Sequence, residues 1–153
     1  MKDMLKEGDQ LPQFELKNQD GNIIKSTEFL GNKLVIFFYP KANTPTCTVE
    51  ACNLNDHIST LKKAGYQLIG ISADSIKRQK NFHEKYGFRY DLLADEDQKV
   101  VNQFGVWQEK KNFGKTYMGI VRSTFIFDEK GICTRVIDKV KSKEAAAQIL
   151  EEN

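Results

Sequence analysis

Apolar residues recur along this chain with two different periods, and the switches between them mark out its elements. Phe14-Glu15-Leu16-Lys17 alternates apolar and polar, the period of a half-buried strand, and Asp20-Gly21 is a turn signal ahead of Ile23-Ile24. An N-terminal β-hairpin is expected there. Leu34 to Tyr39 is an unbroken apolar run that halts at Pro40, which suits a central strand buried on both faces. Over residues 47–63 the period lengthens: Leu54, Ile58 and Leu61 fall at i, i+4 and i+7, the stripe of a helix packed on a core, and Gly65 stops it. Tyr66 to Ala73 is a second apolar strand. Asp74 or Ser75 can cap a helix over 76–86, which Gly87 ends. A short strand at Leu92-Leu93-Ala94 and a short helix over 97–104 follow. Ser123 to Phe127 and Ile132 to Ile137 flank Asp128-Glu129-Lys130-Gly131 as a hairpin, and residues 142–151 form a last helix capped by Ser142.

Strand–helix–strand, then helix, hairpin and helix, implies an α/β fold with a central mixed sheet flanked by helices. A thioredoxin-like fold requires that order. The length of 153 residues fits a single domain over 1–153. The net charge of +2 and the absence of any basic block longer than Lys62-Lys63 or Lys110-Lys111 point away from nucleic acid and from an anionic membrane. Charges within Met1 to Asp9 interrupt any signal-peptide core, and the run at 34–39 is far too short to span a bilayer, so a cytoplasmic location is expected.

Three cysteines, Cys47, Cys52 and Cys133, are an odd number and too few for a disulfide scaffold. In a reducing compartment a cysteine pair is better explained by catalysis or metal binding. No C-x-x-C or other ligand spacing supports zinc or a thioredoxin-type exchanger. His57 lies ten residues beyond Cys47 on the same expected helix, about 15 Å away by rise, too far to act as its base. It reads as a surface residue, and so does His83. Asp95-Glu96-Asp97 reads as a helix start rather than a cation site.

Cys47 lies past the loop that leaves a buried strand, where a helix begins. Unpaired backbone N–H groups there carry partial positive charge and stabilise an anion. Thr44, three residues earlier, offers a hydroxyl able to donate to an incoming oxygen or accept from the thiol. Pro40 and Pro45 stiffen the loop and remove competing donors. Taken alone, Cys47 reads more readily as a small apolar residue in a helix cap.

The surrounding sequence reverses that reading. Tyr39 to Leu54 (YPKANTPTCTVEACNL) closely resembles the active-site segment of peroxiredoxins, in particular the bacterioferritin comigratory protein or PrxQ subfamily. Phe104-Gly105-Val106-Trp107 and Gly114 to Phe125 resemble its second half. The resemblance implies a peroxidase in which Cys47 is the peroxidatic cysteine, Thr44 the hydroxyl residue of the motif and Pro40 the proline that shields the sulfur. It implies that Arg122 approaches the thiolate from a separate strand. A guanidinium is always charged and offers donors in a fixed fork, so it would hold the peroxide as charge moves to the leaving oxygen. Glu50, one turn after Cys47, could orient Arg122. Thr46 departs from the pattern, since similar proteins usually carry glycine directly before the peroxidatic cysteine. A β-branched residue fits poorly at positive φ, so residue 46 is expected at negative φ.

Cys52 matches the resolving position of many members of the subfamily. On an intact helix, positions i and i+5 are separated by about 7.5 Å of rise and about 140° of turn. Their Cα atoms then lie more than about 8 Å apart, where a disulfide needs less than about 7 Å. The first turns of the helix would have to unwind for Cys47 and Cys52 to bond. Cys133, in the second arm of the expected hairpin, should share a face with Arg135 and Ile137 and is read as structural, with a resolving or intermolecular role as the alternative. The resemblance further implies hydrogen peroxide and alkyl hydroperoxides as substrates, thioredoxin or a similar dithiol protein as reductant, no bound cofactor, and a monomer. A non-enzymatic redox sensor or holdase using Cys47 as a switch is the alternative.

Overall fold

In the computed structural model, which describes residues 3–151, the strands are β1 (Glu15–Asn18), β2 (Ile23–Lys25), β3 (Lys33–Phe38), β4 (Tyr66–Ser72), β5 (Asp91–Ala94), β6 (Trp107–Asn112), β7 (Lys115–Ile120), β8 (Ser123–Phe127) and β9 (Cys133–Ile137). The helices are α1 (Pro45–Asp56), α2 (Ile58–Lys63), α3 (Ile76–Tyr86), α4 (Lys99–Gln103) and α5 (Ala145–Leu150). Seven strands form one mixed sheet in the order β2-β1-β5-β4-β3-β8-β9, while β6 and β7 pair only with each other. β3 runs parallel to β4 and antiparallel to β8, which places the longest apolar run at the middle of the sheet.

That run is unbroken because both of its faces are covered. Val35, Phe37 and Tyr39 join a cluster with Leu54, Ile58, Leu61, Phe82 and Ile149 from α1, α2, α3 and α5. Leu34, Ile36 and Phe38 join a second cluster with Val100, Val101, Phe104, Phe125 and Phe127. Gly70 on β4 sits opposite Phe37, and a Cβ there would lie 2.7 Å from the Phe37 ring, so the absence of a side chain is what leaves the ring its place.

The N-terminal hairpin, the helix capped by Ser75 and ended by Gly87, and the β8–β9 hairpin all form as the sequence pattern indicates. Four expectations change. The helix expected over 47–63 starts earlier, with Pro45 as its first residue, and divides at His57. The His57 ring takes the carbonyl of Asn53 at 2.8 Å, and the His57 N–H turns to Leu54 O instead, which ends the regular ladder there. Leu54, Ile58 and Leu61 remain buried across the break. Ser142 is not a cap. Residues Ser142–Glu144 form a 3₁₀ turn before α5, and the N–H of Ala146 is met from a distance by Asn53 Oδ1 at 2.9 Å.

The third change is the β6–β7 hairpin, which the apolar pattern does not reveal. Most of it is exposed, and its two-residue turn places Phe113 (φ 52) and Gly114 (φ 77) in the left-handed region, where a phenylalanine is an unusual occupant. The fourth concerns Cys133. A register shift between Ile126 and Phe127 pairs Phe127 with Cys133 and Ile126 with Arg135, leaving Thr134 as an extra residue. Strand alternation is broken at that bulge. Cys133 therefore points with Val136 into the second cluster, while Ile137 packs against the first and Arg135 reaches the carbonyls of Gln148 and Ile149 in α5.

Candidate active site

The loop that leaves β3 is held from below by a buried polar network. Tyr39 Oη donates to Gln79 Oε1 at 2.5 Å, and Gln79 Nε2 donates to Ser72 Oγ at 2.9 Å and to Leu93 O at 2.7 Å. Ser72 Oγ donates to Asp74 Oδ2 at 2.7 Å, and the same oxygen accepts from the N–H of Ala42 at 2.8 Å. Asp74, weighed from sequence only as a cap for α3, instead ties this loop to the end of β4, and Ser75 makes the cap. Asn43 takes the left-handed conformation (φ 64) that turns the chain into α1, a conformation asparagine tolerates. Thr44 is the N-cap residue and Pro45 the first helical one, where its missing N–H costs no hydrogen bond.

Cys47 lies in the first turn of α1 with its side chain inward, 1% exposed. Arg122, in the link between β7 and β8, points Nη2 at Cys47 Sγ at 3.2 Å and Nη1 at Glu50 Oε1 at 2.6 Å. One guanidinium thus bridges a thiol and a carboxylate placed one helical turn apart on α1. Glu50 is fully buried, and its second oxygen, Oε2, has no hydrogen-bond partner among the described residues. Burial pushes the Glu50 carboxyl up to about 7 although Arg122 opposes it. Burial also works against the charge of Arg122, and the adjacent Cys47 and Glu50 outweigh it, so Arg122 is held more firmly protonated than usual. A forked cation fixed by a buried carboxylate and aimed at a sulfur stabilises negative charge on that sulfur and on an oxygen beside it.

The other sequence candidates fall around this pair with differing closeness. Thr44 Oγ1 donates to Lys41 O at 2.7 Å, so its hydrogen is committed to the loop and its oxygen is left to accept. Pro40 is half-buried directly after Tyr39. Thr46 lies within α1 and has negative φ, as its β-branch requires. Cys52 is half-buried on the same unbroken helix as Cys47, and burial, with Asp56, raises its thiol. All three cysteines are free. Cys133 is buried on the opposite face of the sheet from Cys47, and burial pushes its thiol up to about 11. His57 is exposed, but His83 is half-buried, bonded to Tyr90 O at 3.1 Å and set edge-on to Phe88, so it is not a plain surface residue. Asp95 accepts from the N–H of Val101 at 2.8 Å and fastens the start of α4.

Pattern reading missed the network beneath the loop, because Gln79 and Ser72 carry no motif that distinguishes them from surface residues. The short pair Lys110-Lys111 reads from sequence as solvated surface, but Lys110 on β6 is half-buried, and its ammonium feels the charges of Cys47 and Arg122.

Residues 7–136 match the AhpC/TSA family. Peroxiredoxin Bcp of Escherichia coli is 47% identical over 138 residues, which cover 90% of this chain and 88% of that protein. Peroxiredoxin Bcp of Bacillus subtilis is 40% identical over 144 residues, covering 94% and 92%. Among solved structures, a mutant of PrxQ from Xylella fastidiosa superposes with a TM-score of 0.90 at 27% identity, over 98% of this chain and 95% of that one. Peroxidoxin BcpB from Mycobacterium tuberculosis gives a TM-score of 0.85 at 34% identity, over 97% and 95%. The mixed sheet with helices on both faces is thus the thioredoxin-like fold of these proteins. The family match spans the segment that carries Cys47 and the strand link that carries Arg122, and the likenesses of sequence and of backbone agree: the chain belongs to the AhpC/TSA family and, within it, to the Bcp/PrxQ peroxiredoxins.

Proposed function

We propose that the protein reduces hydrogen peroxide and alkyl hydroperoxides at the expense of a thiol, with Cys47 as the attacking residue. Its Bcp and PrxQ relatives support thiol peroxidase activity in general. The observation that carries the specific reading is the single guanidinium of Arg122 reaching Cys47 Sγ and Glu50 Oε1 at once. The bacterioferritin comigratory protein of Xanthomonas campestris has been studied for its alkyl peroxide reduction activity, which supports the wider substrate class.

In the proposed reaction the Cys47 thiolate attacks the terminal oxygen of ROOH. A sulfur–oxygen bond forms as the oxygen–oxygen bond breaks, the sulfur gives up two electrons, and the alkoxide or hydroxide that leaves takes a proton to become alcohol or water. Arg122 donates to the oxygen on which charge develops, and Glu50 keeps the fork in place. Thr44 Oγ1 accepts from the peroxide O–H, and Pro40 keeps water from the sulfur. The sulfenic acid on Cys47 then condenses with the Cys52 thiol, releasing water and forming the disulfide, once the first turns of α1 have unwound. Thioredoxin or a similar dithiol protein restores both thiols. The cysteines carry the electrons, so the cycle uses no bound cofactor, and we assign it to a cytoplasmic monomer.

The test is a coupled assay of the reduced protein with hydrogen peroxide, thioredoxin, its reductase and NADPH. Consumption of many equivalents of peroxide is expected, abolished in Cys47→Ser. Consumption that stops after one equivalent would make the protein a redox sensor or holdase instead. Undiminished thioredoxin-supported turnover in Cys52→Ser would remove Cys52 from the resolving step.

A further inference from the structure

Summing the charges at the site leaves a deficit. With the thiolate formed, and above about pH 7 where Glu50 is mostly ionised, α1 brings two negative charges to Arg122, which supplies one positive charge. A partly buried cluster with unbalanced charge is costly, so a second cation is to be looked for nearby.

Lys110 meets the description. It is half-buried on β6, and among the described residues no carboxylate forms an ion pair with it. It pairs across the hairpin with Tyr117, yet its side chain does not stay in that row. Its Cδ lies over Gly119, where a Cβ would approach to 3.3 Å, so the stem leans along β7 toward the base of the hairpin. Arg122 follows that base directly, two residues after Ile120. Burial lowers the Lys110 ammonium, as does the charge of Arg122, while Cys47 acts in the opposite sense. The titratable groups whose charges act on Cys47 are accordingly Glu50 from its own helix, Arg122 from the β7–β8 link and Lys110 from the separate hairpin, while the nearby phenol of Tyr39 is kept neutral by burial.

We infer that Lys110 is a charge-balancing positioning residue of the peroxide step, laid over Gly119 so that its ammonium offsets the Cys47 thiolate and the charge that passes to the leaving oxygen. The inference rests on the peroxidase reading and adds to it a residue from outside both matching segments of the active site. Lys110 touches no reacting atom in this arrangement. It acts through its field on Cys47 and Arg122, and hence on the attack alone, not on the later reduction of the disulfide.

The two half-reactions can be timed separately. Oxidation of Cys47 by hydrogen peroxide is followed by stopped flow through the fluorescence of Trp107, the one tryptophan of the chain. Reduction of the oxidised protein by thioredoxin is followed in a second mixing. Lys110→Met keeps the stem and removes the charge, and it should slow the peroxide step about tenfold, the size expected of one charge at a partly buried site. The reduction step should be unchanged, and Lys110→Arg should recover most of the loss. Gly119→Ala, which crowds the stem, should slow the peroxide step in the same direction. Lys111→Met, on the exposed opposite face of the hairpin, should react as the unaltered protein does. A wild-type rate in Lys110→Met, or an equal fall in both half-reactions, would overturn the inference. Absence of turnover in the unaltered protein would instead overturn the peroxidase reading on which it stands.

Discussion

Glu50 is placed where a carboxylate is least comfortable, fully buried with one oxygen on Arg122 and the other without a hydrogen-bond partner among the described residues. Its carboxyl is pushed by burial from the ordinary 4.5 up to about 7. A carboxyl raised in the fold binds its proton more tightly there than in the unfolded chain. The stability it contributes is therefore complete below about pH 4.5 and is lost as pH climbs through 7. Glu50→Gln keeps an oxygen for Arg122 and removes the titration. We expect wild type to lose stability relative to Glu50→Gln between pH 5 and pH 8, by on the order of 3 kcal/mol at most, in urea melts at the two pH values. A constant difference between the two proteins would place the proton elsewhere. The Glu50–Arg122 link itself was legible only through resemblance, since residues 72 positions apart on a helix and a strand link share no local pattern.

At the scale of elements, α1 holds two cysteines that cannot meet while it stays wound. Its second half is fastened on two sides. Asn53 Nδ2 donates to Lys143 O and Asn53 Oδ1 accepts from Ala146 N, both at 2.9 Å, while Tyr90 Oη donates to Ala51 O at 2.7 Å. Disulfide formation is therefore expected to abolish hydrogen-exchange protection over residues 47–52 and to spare Leu54 and Asn55, as mass spectrometry of the oxidised protein would show. Asn53→Ala removes the clasp, leaving the Ala146 N–H unmet. It should cost about 1 kcal/mol of stability and speed conversion of sulfenic acid to disulfide. Equal disulfide formation rates in the two proteins would mean that the clasp does not limit the opening. Alternation made β1 readable, and the cap at Ser75 and the stop at Gly87 made α3 so. The β6–β7 hairpin was not, because solvent on much of its surface leaves no alternation to read, and phase counting along β9 failed at a single extra residue, Thr134.

Over the whole molecule the sheet separates two cores, and its central strands admit little change on either side. Gly70→Ala would drive a Cβ to 2.7 Å from the Phe37 ring and 3.1 Å from Leu92. We expect a loss of about 1–3 kcal/mol in denaturant melts, with the peroxide rate of the folded fraction retained. A variant as stable as wild type would show that the ring has room to move. The separation also accounts for the division among the cysteines: Cys47 and Cys52 border one core and Cys133 the other. Length and the order of elements indicated the fold, but which face each residue serves depended on bulges and on buried hydrogen bonds that composition does not encode.

The anchoring of the loop by Asp74 bears on tempo. If the first turns of α1 come apart as proposed, residues 40–43 should stay tied to the end of β4 through Ala42 N–H, and Arg122 should stay fixed between the ends of β7 and β8. The reduced enzyme then has only a short stretch of helix to rewind against a standing template. Helix formation on that scale takes roughly a microsecond. Resetting between catalytic cycles should accordingly be faster than any encounter with a partner protein, which leaves the supply of reductant, and not the return of the helix, to set the pace of sustained peroxide removal.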